Sequence, residues 1–396
     1  MTHLTRNETL LLTAALQRGP AALRAWETWR CACPLGDGID SGFHRMIPLL
    51  HHNLCAQGVR DPVMADYAAI RRFYWFRNRL LLHEAERILI LLGQARIRTL
   101  ALKGLSLALD AYPGIDLRPM GDIDLLVPED SAMRALRLLQ DAGLRIMGPS
   151  VAAHFARSDE LLRTHHAISL KTPDRRLSVD LHVRLNRYIP SLDLAEQMMS
   201  EGAPLEVGAA RAASPRPTEH IFHLIMHGHR TGNLSTLRWA GDVAVLIHAR
   251  EADIDWGRLA ELGERYLCLT VVREAVVEVF GVMGRPLPDH VRNALNGRRV
   301  SLRDRLEWRY RRRERRATRR LPILFLDYLR FRHGERERDV APNGFIAFLM
   351  EYWMLQRKRD IPKEVLRRLV RRFRRPARGA RRESAVNVHS RSDSVR

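Results

Sequence analysis

From Asn7 to about Ala95 apolar residues recur at intervals of three and four, in LLLTAALQ, MIPLLHHNLCAQG and YAAIRRFYWFRNRLLLHEAERILILLGQ. That is the period of helices that bury one stripe. Gly36, Gly38 and Pro62 divide the stretch into separate helices. At Arg96 the period changes. IRTLALKG predicts a short strand ending in Gly104, with a helical SLALDAYPG behind it, and DIDLLVP predicts a second strand closed by Pro128. EDSAMRALRLLQDAG predicts an amphipathic helix with acids in its first turn and Gly143 at its end. LRIMG, HAISLKT and LSVDLHVRL predict further strands, with Asp174-Arg175 in a hairpin turn between the last two.

Past Pro204 the pattern is helical again. TEHIFHLIMHGHR follows a Thr218 cap, then LRWAGDVAVLIHAR and IDWGRLAELGERY, until Pro286 and Pro288 interrupt. Arg-rich helices come next, then a tail rich in Ser, Arg and Asn that is expected to be disordered. The expectation is an α+β protein whose α/β-type core is a small mixed β-sheet, flanked by N- and C-terminal helical regions. Its expected divisions are an N-terminal helical region (1–95), the sheet core (96–212), a helical region beside it (213–290), an Arg-rich helical region (291–382) and the tail (383–396). No internal repeat is visible.

Composition narrows the classes. The 396 residues suffice for two or three domains, and 46% hydrophobic with 28% charged residues is the balance of a soluble globular protein. No apolar run nears the roughly 18 residues of a membrane span, and the first thirty lack a secretory layout, so a cytoplasmic protein is expected. Cys31, Cys33, Cys55 and Cys268 have no zinc-site or disulfide spacing and are expected to be reduced and structural. The net charge of +21 is concentrated: Arg298 to Arg382 holds 29 Lys and Arg against 10 Asp and Glu. YRRRERRATRR and LRRLVRRFRR in that segment read as basic amphipathic helices, open to three roles: gripping nucleic acid, lying on an anionic membrane surface, or presenting a solvated face.

The candidate chemistry lies elsewhere. In RPMGDIDLLV (118–127), Asp122 and Asp124 stand two apart in a predicted strand, so both carboxylates point to one face and repel, which implies a metal, a basic partner or an exposed strand end. A third acid, Asp180, occupies the later strand SVDLHV. If the two strands are neighbours, three carboxylates meet at one sheet edge, an arrangement suited to two magnesium ions clamping a phosphoryl group.

The combination Leu102-Lys103-Gly104, then Arg118 to Val127, then Asp180-Leu181-His182 resembles the uncharacterised nucleotidyltransferase family of the DNA-polymerase-β-like superfamily. LRWAGDVAVL and IDW resemble that family's C-terminal helical portion, and the likeness spans roughly residues 60 to 290. The resemblance implies a magnesium-dependent enzyme that moves a nucleoside monophosphate from an NTP to an unknown acceptor hydroxyl and releases pyrophosphate. It implies Asp122 and Asp124 as ligands of both ions, and Asp180 as a ligand of the catalytic ion that helps deprotonate the acceptor. Gly104 would let backbone approach the triphosphate, with Lys103 and Arg118 supplying positive charge. The wider superfamily carries Gly-Gly or Gly-Ser in this loop. Here Lys103-Gly104-Leu105-Ser106 stands in its place, which puts Lys103 ahead of Ser106 as a phosphate ligand.

Other residues have plainer expectations. His182, two residues from Asp180 on the same strand face, is open to touching the site but is expected first as a hydrogen-bonded structural histidine. His220, His223, His227 and His229 are expected to pack in the core or touch substrate, since no Glu follows His223 as a zinc-binding HExxH would require. Asp242 is expected to cap or to pair with Arg238, or else to sit on the acceptor side; Trp239 and Trp256 are expected in the core. The competing functional reading is a non-catalytic module that binds nucleic acid through the basic C-terminal helices.

Overall fold

The computed structural model describes residues 4–33, 41–147, 165–174, 176–186, 189–230, 237–313, 320–334, 344–353, 355 and 357–373. They cluster into two units, 1–341 and 342–396. Gly36, Gly38, Arg175, His229's side chain and the tail from 383 lie outside the described residues.

Four helices open the chain: α1 (Arg6–Leu16), α2 (Pro20–Ala32), α3 (Ser41–Ala56) and the long α4 (Val63–Gln94). Helix α1 starts at a reciprocal capping box, in which the Thr5 backbone N–H donates to Glu8 Oε2 at 2.7 Å and the Glu8 N–H donates to Thr5 Oγ1 at 3.3 Å. Leu11, Leu12, Trp29, Ile47 and Leu50 carry the predicted three-and-four periodicity into one fully buried cluster.

The central stretch alternates as β1 (Leu100–Ala101), α5 (Lys103–Asp110), β2 (Ile123–Leu126), α6 (Glu129–Asp141), β3 (Arg145–Ile146), β4 (Ala167–Lys171), β5 (Ser178–His182), α7 (Leu192–Ser200), β6 (Ala203–Val207) and β7 (Ala210–Ser214). Among the described residues these strands form one mixed sheet in the order β3-β4-β5-β2-β1-β7-β6. β2 runs parallel to β5 and β1 parallel to β7, and the other pairings are antiparallel.

Two expectations are corrected here. The strand expected to run to Gly104 stops at Ala101, and Lys103-Gly104 already belongs to α5. The chain past Pro204 does not turn helical at once, because α7 is followed by the β6–β7 hairpin. That hairpin carries a single β-branched residue, Val207, and Gly208 at φ 61 starts its two-residue turn. Pro204 is tolerated because β6 is an edge strand.

Among the described residues seven further α-helices belong to the first unit: α8 (Pro217–Arg230), α9 (Leu237–Arg250), α10 (Trp256–Arg265), α11 (Leu269–Val282), α12 (Asp289–Asn296), α13 (Leu302–Arg313) and α14 (Arg320–Gly334). Trp239 and Trp256 are buried as expected. Gly228 of α8 admits Trp239 so closely that a Cβ there would fall 2.2 Å from the indole. In the second unit are α15 (Phe345–Tyr352) and α16 (Ile361–Phe373).

Strand alternation sorts the sheet into two faces. Ile123, Leu125, Val179 and Leu181 pack with α4 and α6 in one core cluster, whereas Leu100, Leu102 and Leu126 join the larger cluster built from α1–α3 and α8–α11. The Arg-rich region is partly structural. Arg330 is buried, donating to Glu307 Oε1 at 2.6 Å and to the carbonyls of Tyr266 and Leu267 at 2.7 and 2.8 Å.

Candidate active site

The parallel pairing of β2 with β5 sets Asp124 directly opposite Asp180, and Leu126 opposite His182. Residues opposite one another in a parallel ladder point to the same face. Asp124, Asp180 and His182 therefore face the helical side of the sheet, and each offers a ligand atom within 4.8 Å of the others'. Oxygen ligands at about 2.1 Å around one octahedral magnesium lie roughly 3 to 4.2 Å apart, so the spacing fits a single ion. Asp124 and His182 are buried while Asp180 is half-exposed, which opens the group on one side. Asp122 lies one residue ahead of β2, half-exposed, and interacts electrostatically with both Asp124 and Asp180.

Asp124 Oδ1 accepts from Lys103 Nζ at 2.6 Å and lies 3.0 Å from His182 Nε2. The other ring nitrogen of His182, Nδ1, lies 3.3 Å from the Arg184 carbonyl, so both ring nitrogens face acceptors, and the two contacts fix the ring with Nε2 turned to the carboxylates. Burial alone would push the Asp124 carboxyl up, but Lys103 and His182 outweigh it and hold it well below the usual range. For Asp122 burial and the charge of Asp124 act together and push its carboxyl up, with Lys103 only partly opposing them. Lys103 thus opposes the repulsion implied by the DxD spacing at both acids and prevails at Asp124.

Lys103 reaches this position through a strained backbone. Leu102 N–H donates to the Asp124 carbonyl at 3.0 Å, extending the β1–β2 ladder, and α5 begins on the next residue. Strand becomes helix within one residue only because Lys103 takes φ 47, in the left-handed region that favours glycine. A non-glycine residue held there costs about 1–3 kcal/mol. This is the loop where the wider superfamily carries glycine, and the lysine side chain offsets the strain through its buried pair with Asp124.

The structure places the four residues expected on the phosphate side as follows. Arg118 is 3% exposed and forks onto Asp242, Nε to Oδ1 at 2.5 Å and Nη2 to Oδ2 at 2.7 Å. Tyr112 Oη donates to the same Oδ1 at 2.8 Å. The buried guanidinium is thus matched by a buried carboxylate, and Asp242 pairs with Arg118 rather than with Arg238. Ser106 is fully buried, 2.6 Å from the Ser214 hydroxyl. Gly104 is closely packed: a Cβ there would meet Met120 Cγ at 3.2 Å and Arg118 Nη1 at 3.6 Å. Lys103 faces Asp124.

The inner face of α4 fixes the loop that delivers Asp122. Asn78 donates to the carbonyls of Ile115 and Arg118, the latter at 2.8 Å, and accepts from the Met120 N–H at 3.0 Å. Sequence patterning placed Asn78 only on a helix, with no sign of this role. On α8, His220 and His223 are buried, and burial lowers both, His220 to about 4. His223 interacts electrostatically with Lys103 and His182, so α8 backs the site with neutral imidazoles. Among the described residues none of the α8 histidines joins a metal-ligating group.

A family model described as an uncharacterised nucleotidyltransferase matches residues 42–278, well over half of the chain. The chain belongs to that family and is a nucleotidyltransferase. The match begins at α3, upstream of the residue 60 expected from the motifs, so α3 and α4 are part of the family's module. No curated protein matches the chain.

Proposed function

We propose that the protein is a magnesium-dependent nucleotidyltransferase that moves a nucleoside monophosphate from an NTP to an acceptor hydroxyl and releases pyrophosphate. The observation that carries the reading is the in-register pairing of Asp124 with Asp180, with Asp122 one residue ahead of β2. The donor set fits a divalent cation: hard carboxylate oxygens, one imidazole already oriented by a backbone carbonyl, and access from the half-exposed side. Asp122, Asp124 and Asp180 would hold two magnesium ions. When bound, these ions neutralise phosphate charge and acidify the acceptor hydroxyl.

The chain's own residues do the rest. Lys103 and His182 keep Asp124 ionised and aimed, so no carboxylate has to reorganise during the reaction. Asp180, the more accessible of the pair, takes the hydroxyl proton on its carboxylate as the acceptor oxygen attacks the α-phosphorus and the bond to pyrophosphate breaks. Asn78 and the Arg118–Asp242 fork hold the 115–122 loop so that Asp122 meets the nucleotide in one position. No helix among the described residues is long and apolar enough to cross a membrane.

The test offers labelled ATP, GTP, CTP and UTP with a cell extract to wild type, Asp122→Asn and Asp124→Asn. Label transferred by wild type alone supports the reading. Equal labelling by all three rejects it.

A further inference from the structure

Lys103 is paired with Asp124, and Arg118 with Asp242. The charge that meets a triphosphate must therefore come from elsewhere, and three other arginines converge on the same loop. Arg45 of α3 lies over the residue before Asp122, its Nη2 and Nη1 3.6 and 3.9 Å from where a Cβ on Gly121 would sit. Arg77 of α4 donates through Nε to the Met120 carbonyl at 3.3 Å. Arg238 of α9 stands one helical turn before Asp242 and interacts electrostatically with Arg118, Asp242, Arg45 and Asp122. All three act on the hydroxyl of the buried Tyr74, whose oxygen is 2.9 Å from His44 Nδ1.

Each of these arginines is half-buried, and among the described residues none makes an ion pair. Once the two buried pairs are set aside, Asp122 is the acid left beside them. Three guanidinium groups crowded together and partly withdrawn from water repel one another and stay short of hydrogen-bond acceptors. A polyphosphate satisfies both needs, because the guanidinium fork matches phosphate oxygens two at a time. The cluster borders Asp122, so it lies where the phosphates beyond the reacting phosphorus would extend.

We propose that Arg45, Arg77 and Arg238 form the subsite for the β- and γ-phosphates of the nucleoside triphosphate and for the departing pyrophosphate. This rests on the nucleotidyl-transfer reading and adds to it a phosphate clamp drawn from helices outside the sheet. The clamp binds the triphosphate before reaction and accepts the charge of the leaving group as the α–β bridge breaks.

The experiment titrates inorganic triphosphate with magnesium into the full-length protein by calorimetry, for wild type, Arg45→Gln, Arg238→Gln and the control Arg79→Gln, an exposed arginine of α4. Affinity is expected to fall at least tenfold in the first two variants and to hold in the control, with KM for the NTP rising in parallel. Affinities equal to wild type, an equal loss in Arg79→Gln, or no binding by wild type would overturn the subsite. A measurement that needs no variant is phenylglyoxal modification of wild type, mapped by peptide mass spectrometry. Triphosphate is expected to protect Arg45, Arg77 and Arg238, and unchanged modification of the three counts against the proposal. The two readings separate cleanly. Triphosphate bound through these arginines without any transferred label sinks the transferase reading and leaves the subsite standing, while normal transfer and KM in the glutamine variants does the reverse.

Discussion

Asp124 and Asp180 face each other across the parallel β2–β5 ladder, 56 residues apart in the chain and adjacent in the sheet. Everything chemical about the site follows from that register, since a slip of one residue would turn either carboxylate to the opposite face and into apolar packing.

The first consequence concerns metal. Manganese, read by the loss of its free electron-paramagnetic-resonance signal, is expected to bind wild type and to bind at least tenfold more weakly to Asp124→Asn and Asp180→Asn. Imidazole suits manganese better than magnesium, so His182→Gln is expected to lower manganese affinity more than magnesium affinity. Equal loss for the two ions would show that His182 does not reach the metal.

Lys103 and Asp124 form a buried pair, and removing one partner strands the other. Lys103→Met is expected to destabilise the protein by about 3–5 kcal/mol in urea denaturation under chelating conditions. The double variant Lys103→Met/Asp124→Leu is expected to lose less than either single change. A strictly additive double-mutant cycle would deny the coupling.

The Arg118–Asp242 fork offers the same test at a distance from the carboxylate group. Asp242→Asn is expected to cost on the order of 3 kcal/mol, because a guanidinium 3% exposed loses its counter-charge. Transfer is expected to fall with it, since the loop bearing Asp122 loses an anchor. Full activity in a stable Asp242→Asn would show that the fork does not position that loop.

Stability should also depend on acid through α8. His220 is lowered from 6.5 to about 4 by burial, so between those values the unfolded chain binds the extra proton and the folded one does not. Its contribution is complete above about pH 6.5 and is lost as pH falls toward 4, on the order of 3 kcal/mol at the limit. Urea denaturation at pH 7.5 and 5 is expected to show a smaller pH difference in His220→Asn than in wild type.

Much of this was legible along the chain. The three-and-four spacing of α1 to α4, the acidic first turn of α6 and the apolar alternation around Asp122 and Asp124 each report a local period, and a local period is what a helix or strand imposes. The Lys103-Gly104 and DxD motifs, with Asp180 downstream, pointed to the family. The β6–β7 hairpin was hidden because Ala, Glu and Arg fill most of it and Val207 is its one β-branched residue.

Partner choice was not legible. Arg118 is 124 residues from Asp242, Ser106 is 108 from Ser214, and His182 is 58 from Asp124. A residue's type states what it can bond, and only packing selects which of many candidates stands within reach. The linear chain thus settled most of the helices and strands, the β6–β7 hairpin apart, and which residues carry reactive groups. Folding decided that Lys103 pairs with Asp124, that Arg118 forks onto Asp242, and that Arg45, from a helix far away in sequence, lies over Gly121 beside Asp122. Periodicity is written in neighbouring residues, whereas charge pairing depends on distances that exist only once the core has closed.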